Sequence, residues 1–238
     1  MDNTVGDGLE QENADWNFKG EVSKNFDQHV AKSVPFYLEG HKLVCLLSDY
    51  FVKHDSVCYE LGCSTGTLTM KLSEHNSQKP HVRYIGIDIE SDMIEQANKK
   101  KVNRSNVEFV VDDILNYSIE PSDFIVAYYT IQFIRPSERQ RLFDKIYNSL
   151  KWGGALLLFE KVRACDARFQ DIMTGIYNEF KLDSGYSPGE IIGKCRSLKG
   201  TLEPFSTTGN CDLMKRAGFV DYMTIMKYVC FEGFLAIK

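Results

Sequence analysis

Between Ser56 and Lys161 the chain changes its hydrophobic period again and again. The segments "SVCYEL" (56–61), "VRYIGID" (82–88), "NVEFVV" (106–111), "DFIVAYYT" (123–130) and "ALLLFEK" (155–161) are short, β-branched and aromatic, with turn residues at their ends. That pattern predicts strands. Helical spacing fills the intervals 67–75, 91–100 and 137–150; Ser91 and Ser137 stand where the latter two open, and Gly153-Gly154 follow the last. Strands that are apolar almost throughout have no face for water, so their sheet must be covered on both sides. Strands separated by helices run parallel. The alternation therefore predicts an α/β, doubly wound, mostly parallel sheet.

Both flanks depart from this rhythm. Residues 1–14 are polar, acidic and glycine-containing, which predicts a disordered tail. Val22, Phe26 and Val30, then Leu43, Leu46, Leu47 and Phe51, recur at helical spacing, so 15–55 is expected to form a helical cap at one sheet edge. After Lys161 a helix is expected over 165–181. The Gly-, Ser-, Pro- and Thr-rich stretch 184–210 is expected to be loop, making 162–210 a lid or insertion. A helix over 211–219 ends at Gly218, and 221–229 with 231–238 predict a closing antiparallel hairpin. One domain, 15–238, accounts for the pattern.

Composition removes several function classes. With 28 Lys and Arg against 33 Asp and Glu, the net charge of −5 supplies no global field for nucleic acid. "KKKVNR" (99–104) and "RPSERQR" (135–141) are read as solvated surface. Seven scattered cysteines without a CxxC argue against zinc and against a disulfide framework, so reduced thiols and a cytoplasmic setting are expected. No stretch reaches the apolar length of a membrane span and no signal pattern opens the chain.

The chemistry concentrates at the strand ends. "YELGCSTG" (59–66) is a strand-to-helix turn with Gly62 and Gly66, where backbone can approach a ligand and helix N–H groups are unpaired. A dinucleotide turn would read GxGxxG; here Ser64 holds the middle position and no phosphate-loop lysine follows. Glu60, just before the turn, would repel a pyrophosphate and favour an ammonium. Asp88 closes the next strand, where a carboxylate can accept ribose hydroxyls. Asp112 and Asp113 close the one after, suited to an exocyclic amine. Tyr128, Tyr129 and Gln132 reach the same rim from the fourth strand. Each aspartate alone is also an ordinary turn residue. Three acidic strand ends without a basic clamp point instead to S-adenosylmethionine (SAM), with no metal required.

With these motifs in view, the chain resembles the class I SAM-dependent methyltransferase superfamily, and within it the carboxy-S-adenosylmethionine synthases of the tRNA wobble-uridine pathway. The likeness runs through "DWNF" (15–18), "KSVPFY" (32–37), "YELGCSTG", "IGID", "DDI", "TIQFIRPSERQRLFDKIYNSLKWGGALLLFEK" (130–161), "FKLDSGYS" (180–187) and "KRAGF" (215–219). It implies a Rossmann-like seven-stranded sheet and cofactor contacts at Tyr37, Gly62, Cys63, Ser64, Asp88, Ile89, Asp113 and Ile114. It also implies a homodimer. Two positions depart from the family. Tyr128 stands where the family has an asparagine. Cys195 stands where it has the arginine that receives the cofactor's extra carboxylate, with Arg196 next in the chain. Losing the partner of a buried charge costs about 3–5 kcal/mol, so the departure bears directly on chemistry.

Three functions follow. The first is methyl transfer to a small-molecule acceptor, with Tyr37 and Tyr129 near the substrate and Tyr128 or Tyr129 as candidate base. The second, implied by the resemblance, is conversion of SAM to carboxy-SAM with prephenate as carboxyl donor and Arg196 holding the new carboxylate. The third is a non-catalytic SAM-binding module.

Overall fold

The computed structural model describes residues 3–238. Its centre is a seven-stranded sheet built from β3 (Val57–Leu61), β4 (Arg83–Asp88), β5 (Val107–Val111), β6 (Ser122–Tyr128), β7 (Leu150–Lys161), β8 (Asp221–Tyr228) and β9 (Phe231–Ile237). The spatial order is β5-β4-β3-β6-β7-β9-β8. Neighbours from β5 to β7 are parallel, and β9 lies antiparallel between β7 and β8. The predicted class and terminal hairpin are both present. The chain leaves β3 toward β4 and β5, then returns to β6 on the other side of β3. The strand order reverses there, and a crevice opens beyond the carboxyl ends of β3 and β6.

The pleat divides the core into two. In β6, Phe124, Val126 and Tyr128 face one layer while Ile125 and Ala127 face the other. Helices α3 (Thr67–His75), α4 (Ser91–Lys100), α5 (Pro136–Ser149) and α8 (Thr207–Ala217) cover the sheet, and α8 stops at Gly218 with φ 119°. Ser91 is the first residue of α4 rather than its cap, and α5 opens one residue early on Pro136, whose fixed φ suits a first helical position.

Three expectations are corrected. The N-terminal helices α1 (Glu21–Ser33) and α2 (Tyr37–Phe51) do not cap an edge, because α2 lies on β6, β7 and α3. Within the expected tail, β1 (Thr4–Gly6) and β2 (Leu9–Glu10) pair as a hairpin, and Val5, Leu9, Trp16 and Val22 form a buried cluster. A few apolar anchors outweigh a polar average. Residues 1 and 2 of that stretch lie outside the described residues. Within 184–210, α7 (Pro188–Ser197) is a capped helix: Ser187 accepts from Glu190 N–H and Glu190 accepts from Ser187 N–H. It packs against β1 and buries Ile191 and Lys194. Helix α6 (Ala167–Asp183) precedes it, capped by Asp166.

Candidate functional site

The turn after β3 is fixed by sterics. Gly62 and Gly66 have φ of 71° and 70°, and Ser64 between them has φ 48°. A Cβ on Gly62 would lie 2.3 Å from Thr130 Cγ2, and one on Gly66 would lie 2.4 Å from Phe109 Cζ. Gly62 N–H and Cys63 N–H both donate to Ile87 O, at 2.8 and 3.0 Å, which ties the turn to β4. Cys63 is buried and its thiol is pushed up by desolvation, so it fills space rather than reacting.

Asp88 stands beside that turn at the end of β4. One of its oxygens accepts from Ser64 N–H at 2.8 Å, the other from Glu90 N–H at 3.0 Å. Each carboxylate oxygen has a second lone pair, so the side chain keeps capacity for two hydroxyls. Burial raises its pKa, and the two backbone donors oppose the rise. Asp113 serves as a turn residue after β5, accepting from Leu115 N–H at 2.8 Å and Asn116 Nδ2 at 3.2 Å. Asp112 is exposed and accepts from Asp113 N–H. Ile114 is buried in the core, whereas Ile89 is 65% exposed at the rim. The cap and ligand roles of these aspartates are therefore compatible.

Between β3, α1 and α2 lies a recess of about 240 Å³ lined by Glu60, Ser64, Asp27, Tyr37, His41 and Tyr128, among others. Glu60 is 5% exposed, and its carboxylate accepts from Thr69 Oγ1 on α3. Desolvation pushes its pKa up to about 8, against the lowering effect of Thr69. A buried carboxylate with so little compensation favours a cationic neighbour. Asp27 was not legible beforehand. From α1 it accepts from Thr65 Oγ1 at 2.7 Å and Thr67 Oγ1 at 3.1 Å, and it pairs with Lys100 on α4. Burial raises the Asp27 pKa, but Lys100 and the two threonines outweigh it and hold the group low. Helix α1 is thereby strapped over the glycine turn, and Asp27, Thr65 and Thr67 form one side of the recess.

An aromatic wall closes the far side. Tyr128 donates to Tyr37 O at 2.6 Å, and its ring lies 5.1 Å from Tyr37 and 4.7 Å from His41. Gly40 makes room for it, since a Cβ there would lie 2.1 Å from Tyr128 Oη. Tyr129 follows with φ 58° and stacks on Tyr37 at 6.2 Å; its buried hydroxyl has no hydrogen-bond partner among the described residues. Desolvation raises both phenols well above their ordinary value, which favours the protonated form and weighs against either as a base. His41 is buried in this wall; desolvation and then Lys71 push its pKa down to about 3, leaving it neutral. Gln132 bridges β6 and β7 instead of facing ligand: Nε2 donates to Tyr129 O and Oε1 accepts from Lys161 N–H. Arg196 is exposed on α7, as is Cys195. The described residues contain no group of three His, Cys, Asp or Glu side chains placed to hold a metal ion.

Residues 59–154 match a methyltransferase domain family. A carboxy-S-adenosyl-L-methionine synthase of Staphylococcus epidermidis is 35% identical over 224 residues, covering 94% of this chain and 97% of that one. A synthase of the same name from Nautilia profundicola is 37% identical over 93% of this chain and 94% of its own. The chain belongs to the carboxy-S-adenosyl-L-methionine synthase family. The chain shares the fold of solved methyltransferases. Human N-acetylserotonin methyltransferase in complex with SAM gives a TM-score of 0.63 at 17% identity, over 93% of this chain and 57% of that one. The plantazolicin methyltransferase gives 0.64 at 16%, over 92% and 90%. As a member of the carboxy-SAM synthase family, the chain is a SAM-dependent transferase of Rossmann-like fold. No helix among the described residues is long and apolar enough to cross a membrane.

Proposed function

We propose that this transferase converts SAM to carboxy-SAM, taking the carboxyl group from prephenate or a closely similar small anion. The observation that carries this reading is the match to synthases over nearly the whole chain, and the recess at the strand-order reversal supplies suitable contacts. The buried Glu60 carboxylate receives the cofactor's ammonium, and Gly62, Cys63 and Ser64 allow its amino-acid tail to approach the backbone. Asp88 accepts the ribose hydroxyls. Asp113 and the Ile114 backbone take the adenine edge, Ile89 offers its exposed side chain to the purine face, and Asp112 lends charge at the rim. Bound SAM supplies an activated one-carbon group on a sulfonium. The chain's own part is to orient it: Tyr37, Tyr128 and Tyr129 wall the sulfonium side and exclude water while staying protonated.

Plain methyl transfer to a small acceptor is the second reading. It is favoured by Tyr128 in place of the asparagine that the family resemblance implies and by the exposure of Arg196. Incubating the purified protein with SAM, with and without prephenate, and weighing the nucleotide product separates the two. Carboxy-SAM formed only with prephenate supports the first. Recovery of unchanged SAM under both conditions overturns it.

The assembly is read as a homodimer. Phe169, Ile172 and Ile176 are each 46–53% exposed on α6, an apolar face suited to a second copy. A cytoplasmic setting accords with the free thiols. The acidic net charge argues for a small-molecule partner and against direct RNA binding.

A further inference from the structure

The aromatic wall holds a hydrogen-bond donor that nothing in the protein uses. His41 follows Tyr37 by one turn of α2, so both side chains fall on the same face of the helix, and both line the recess. The imidazole is 2% exposed, with its centroid 4.6 Å from the ring of Tyr37 and 4.7 Å from that of Tyr128. Its Nδ1 lies 3.3 Å from Nζ of Lys71 on α3. An ammonium only donates, so Nδ1 accepts and the ring proton stands on Nε2. Desolvation and the nearby Lys71 charge keep the ring in this neutral form.

Nε2 has no hydrogen-bond partner among the described residues. Of the buried side-chain atoms in that condition, it is the one that belongs to a recess-lining residue. Lys71 does not line the recess. It comes from a groove outside it, between α2 and α3, lined by Leu38, Lys42, Cys45 and Glu74 among others. The two ring nitrogens point in diverging directions, so Nδ1 stands on the groove side and the Nε2–H on the opposite one. The rings of Tyr37 and Tyr128 beside it are weak acceptors, and a buried donor left unmade is a cost to the fold.

A ligand in the recess meets carboxylates first. Glu60 and Asp27 line it, and among the described residues no lysine or arginine does. Asp27 is spent on Thr65, Thr67 and Lys100. Of the turn's backbone donors, Gly62 and Cys63 N–H go to Ile87 O, Ser64 N–H to Asp88 and Gly66 N–H to Cys63 O. An α-amino acid carries its ammonium and its carboxylate on one carbon. A SAM molecule whose ammonium meets Glu60 therefore brings a carboxylate into the same recess, where the His41 donor is unspent. Behind the ring, Lys71 forms no ion pair among the described residues, and its charge polarises the imidazole toward an anion. Glu60 and the Lys71–His41 pair thus present one negative and one positive pole, the complement of a zwitterion.

We propose that the His41 Nε2–H binds the α-carboxylate of the cofactor, with Lys71 as the positioning residue that holds the imidazole in its donating tautomer. This rests on the reading of the recess as a SAM site and applies to carboxy-SAM formation and methyl transfer alike.

The test compares SAM with decarboxylated SAM, which keeps the ammonium and the sulfonium and lacks the α-carboxylate. Both are titrated by calorimetry into wild type, His41→Leu, His41→Gln, Lys71→Met and the His41→Leu/Lys71→Met double variant. His41→Leu is expected to lose about tenfold or more in SAM affinity and to bind decarboxylated SAM within about threefold of wild type. His41→Gln, whose amide also donates, is expected to recover most of that loss. Lys71→Met is expected to weaken SAM by about threefold and, in the double variant, to add nothing beyond His41→Leu. Nitrogen NMR with labelled histidine reads the tautomer, the His41 signals being those absent from His41→Gln. They are expected to show Nε2 protonated in wild type, mixed tautomers in Lys71→Met, and an Nε2 shift on adding SAM but not decarboxylated SAM. Equal losses of both ligands in His41→Leu mark a structural role and overturn the assignment. A wild-type Nε2 signal indifferent to SAM overturns it too, whether or not the leucine variant folds. Histidine spectra alike in wild type and Lys71→Met overturn the role of Lys71 alone. Wild type that binds both ligands equally overturns the assignment and leaves the SAM site standing. Wild type that binds neither overturns the proposed function along with it.

Discussion

Replacing Glu60 by glutamine should make the ligand-free protein more stable and its cofactor site worse. Burial lifts the Glu60 carboxyl from 4.5 to about 8. For an acid raised in this way, the fold is favoured by the protonated form. The penalty is absent below pH 4.5, grows as pH rises, and is complete above pH 8. At about 1.4 kcal/mol per pH unit between those values, it amounts to about 3 kcal/mol at pH 7 and about 4–5 kcal/mol at pH 9, both upper bounds. Glutamine fills the same space, can still accept from Thr69 and carries no charge to desolvate. The Glu60→Gln variant should therefore gain over the parent between pH 5 and 9, most at the alkaline end. SAM binding should fall by about tenfold to a hundredfold, the worth of a hydrogen bond to a charged group at about 1.5–3 kcal/mol. Thermal unfolding of both proteins across that pH range, with calorimetric SAM titrations at pH 7, reads both effects. The parent should release a proton on binding, visible as a heat that varies with buffer, and the variant should not. A stability difference that is flat with pH, or a variant of equal SAM affinity, refutes the reasoning.

Other expectations are narrower. Gly40→Ala should cost about 1–3 kcal/mol in chemical denaturation, since its Cβ would strike Tyr128 Oη. Adding Tyr128→Phe should restore most of that loss in a double-mutant cycle. Arg196→Ala should leave the calorimetric affinity for SAM within about twofold of wild type, since the side chain is exposed on α7 and SAM lacks the extra carboxylate. A large loss confined to carboxy-SAM would give that carboxylate to the arginine. Ile172→Glu with Ile176→Lys on α6 should yield a monomer by light scattering without lowering the unfolding temperature by more than about 2–4 °C.

The sheet was legible because its signals are local. Five apolar strands, their order of alternation, the Gly218 helix end and the terminal hairpin all follow from the nearest few residues. The positions of Glu60, Asp88 and Asp113 were legible for the same reason, each standing at or just past a strand's end. Asp27 was not: its partners Thr65 and Lys100 lie 38 and 73 residues away, and an aspartate on a helix face carries no mark of that. Two misses had other causes. A polar average over 1–14 concealed Val5 and Leu9. In 184–210 the capping box formed by Ser187 and Glu190 was in plain view, and loop composition outweighed it.

The hairpin at the chain's start has a practical consequence for anyone handling this protein. Val5 has no solvent exposure, Asp7 holds His29 and Lys32, and Gly6 has no room for a side chain beside Tyr186. Trimming the first ten residues, as is common for ends that look dispensable, would strip the support from α7 and loosen Lys194 some two hundred positions downstream.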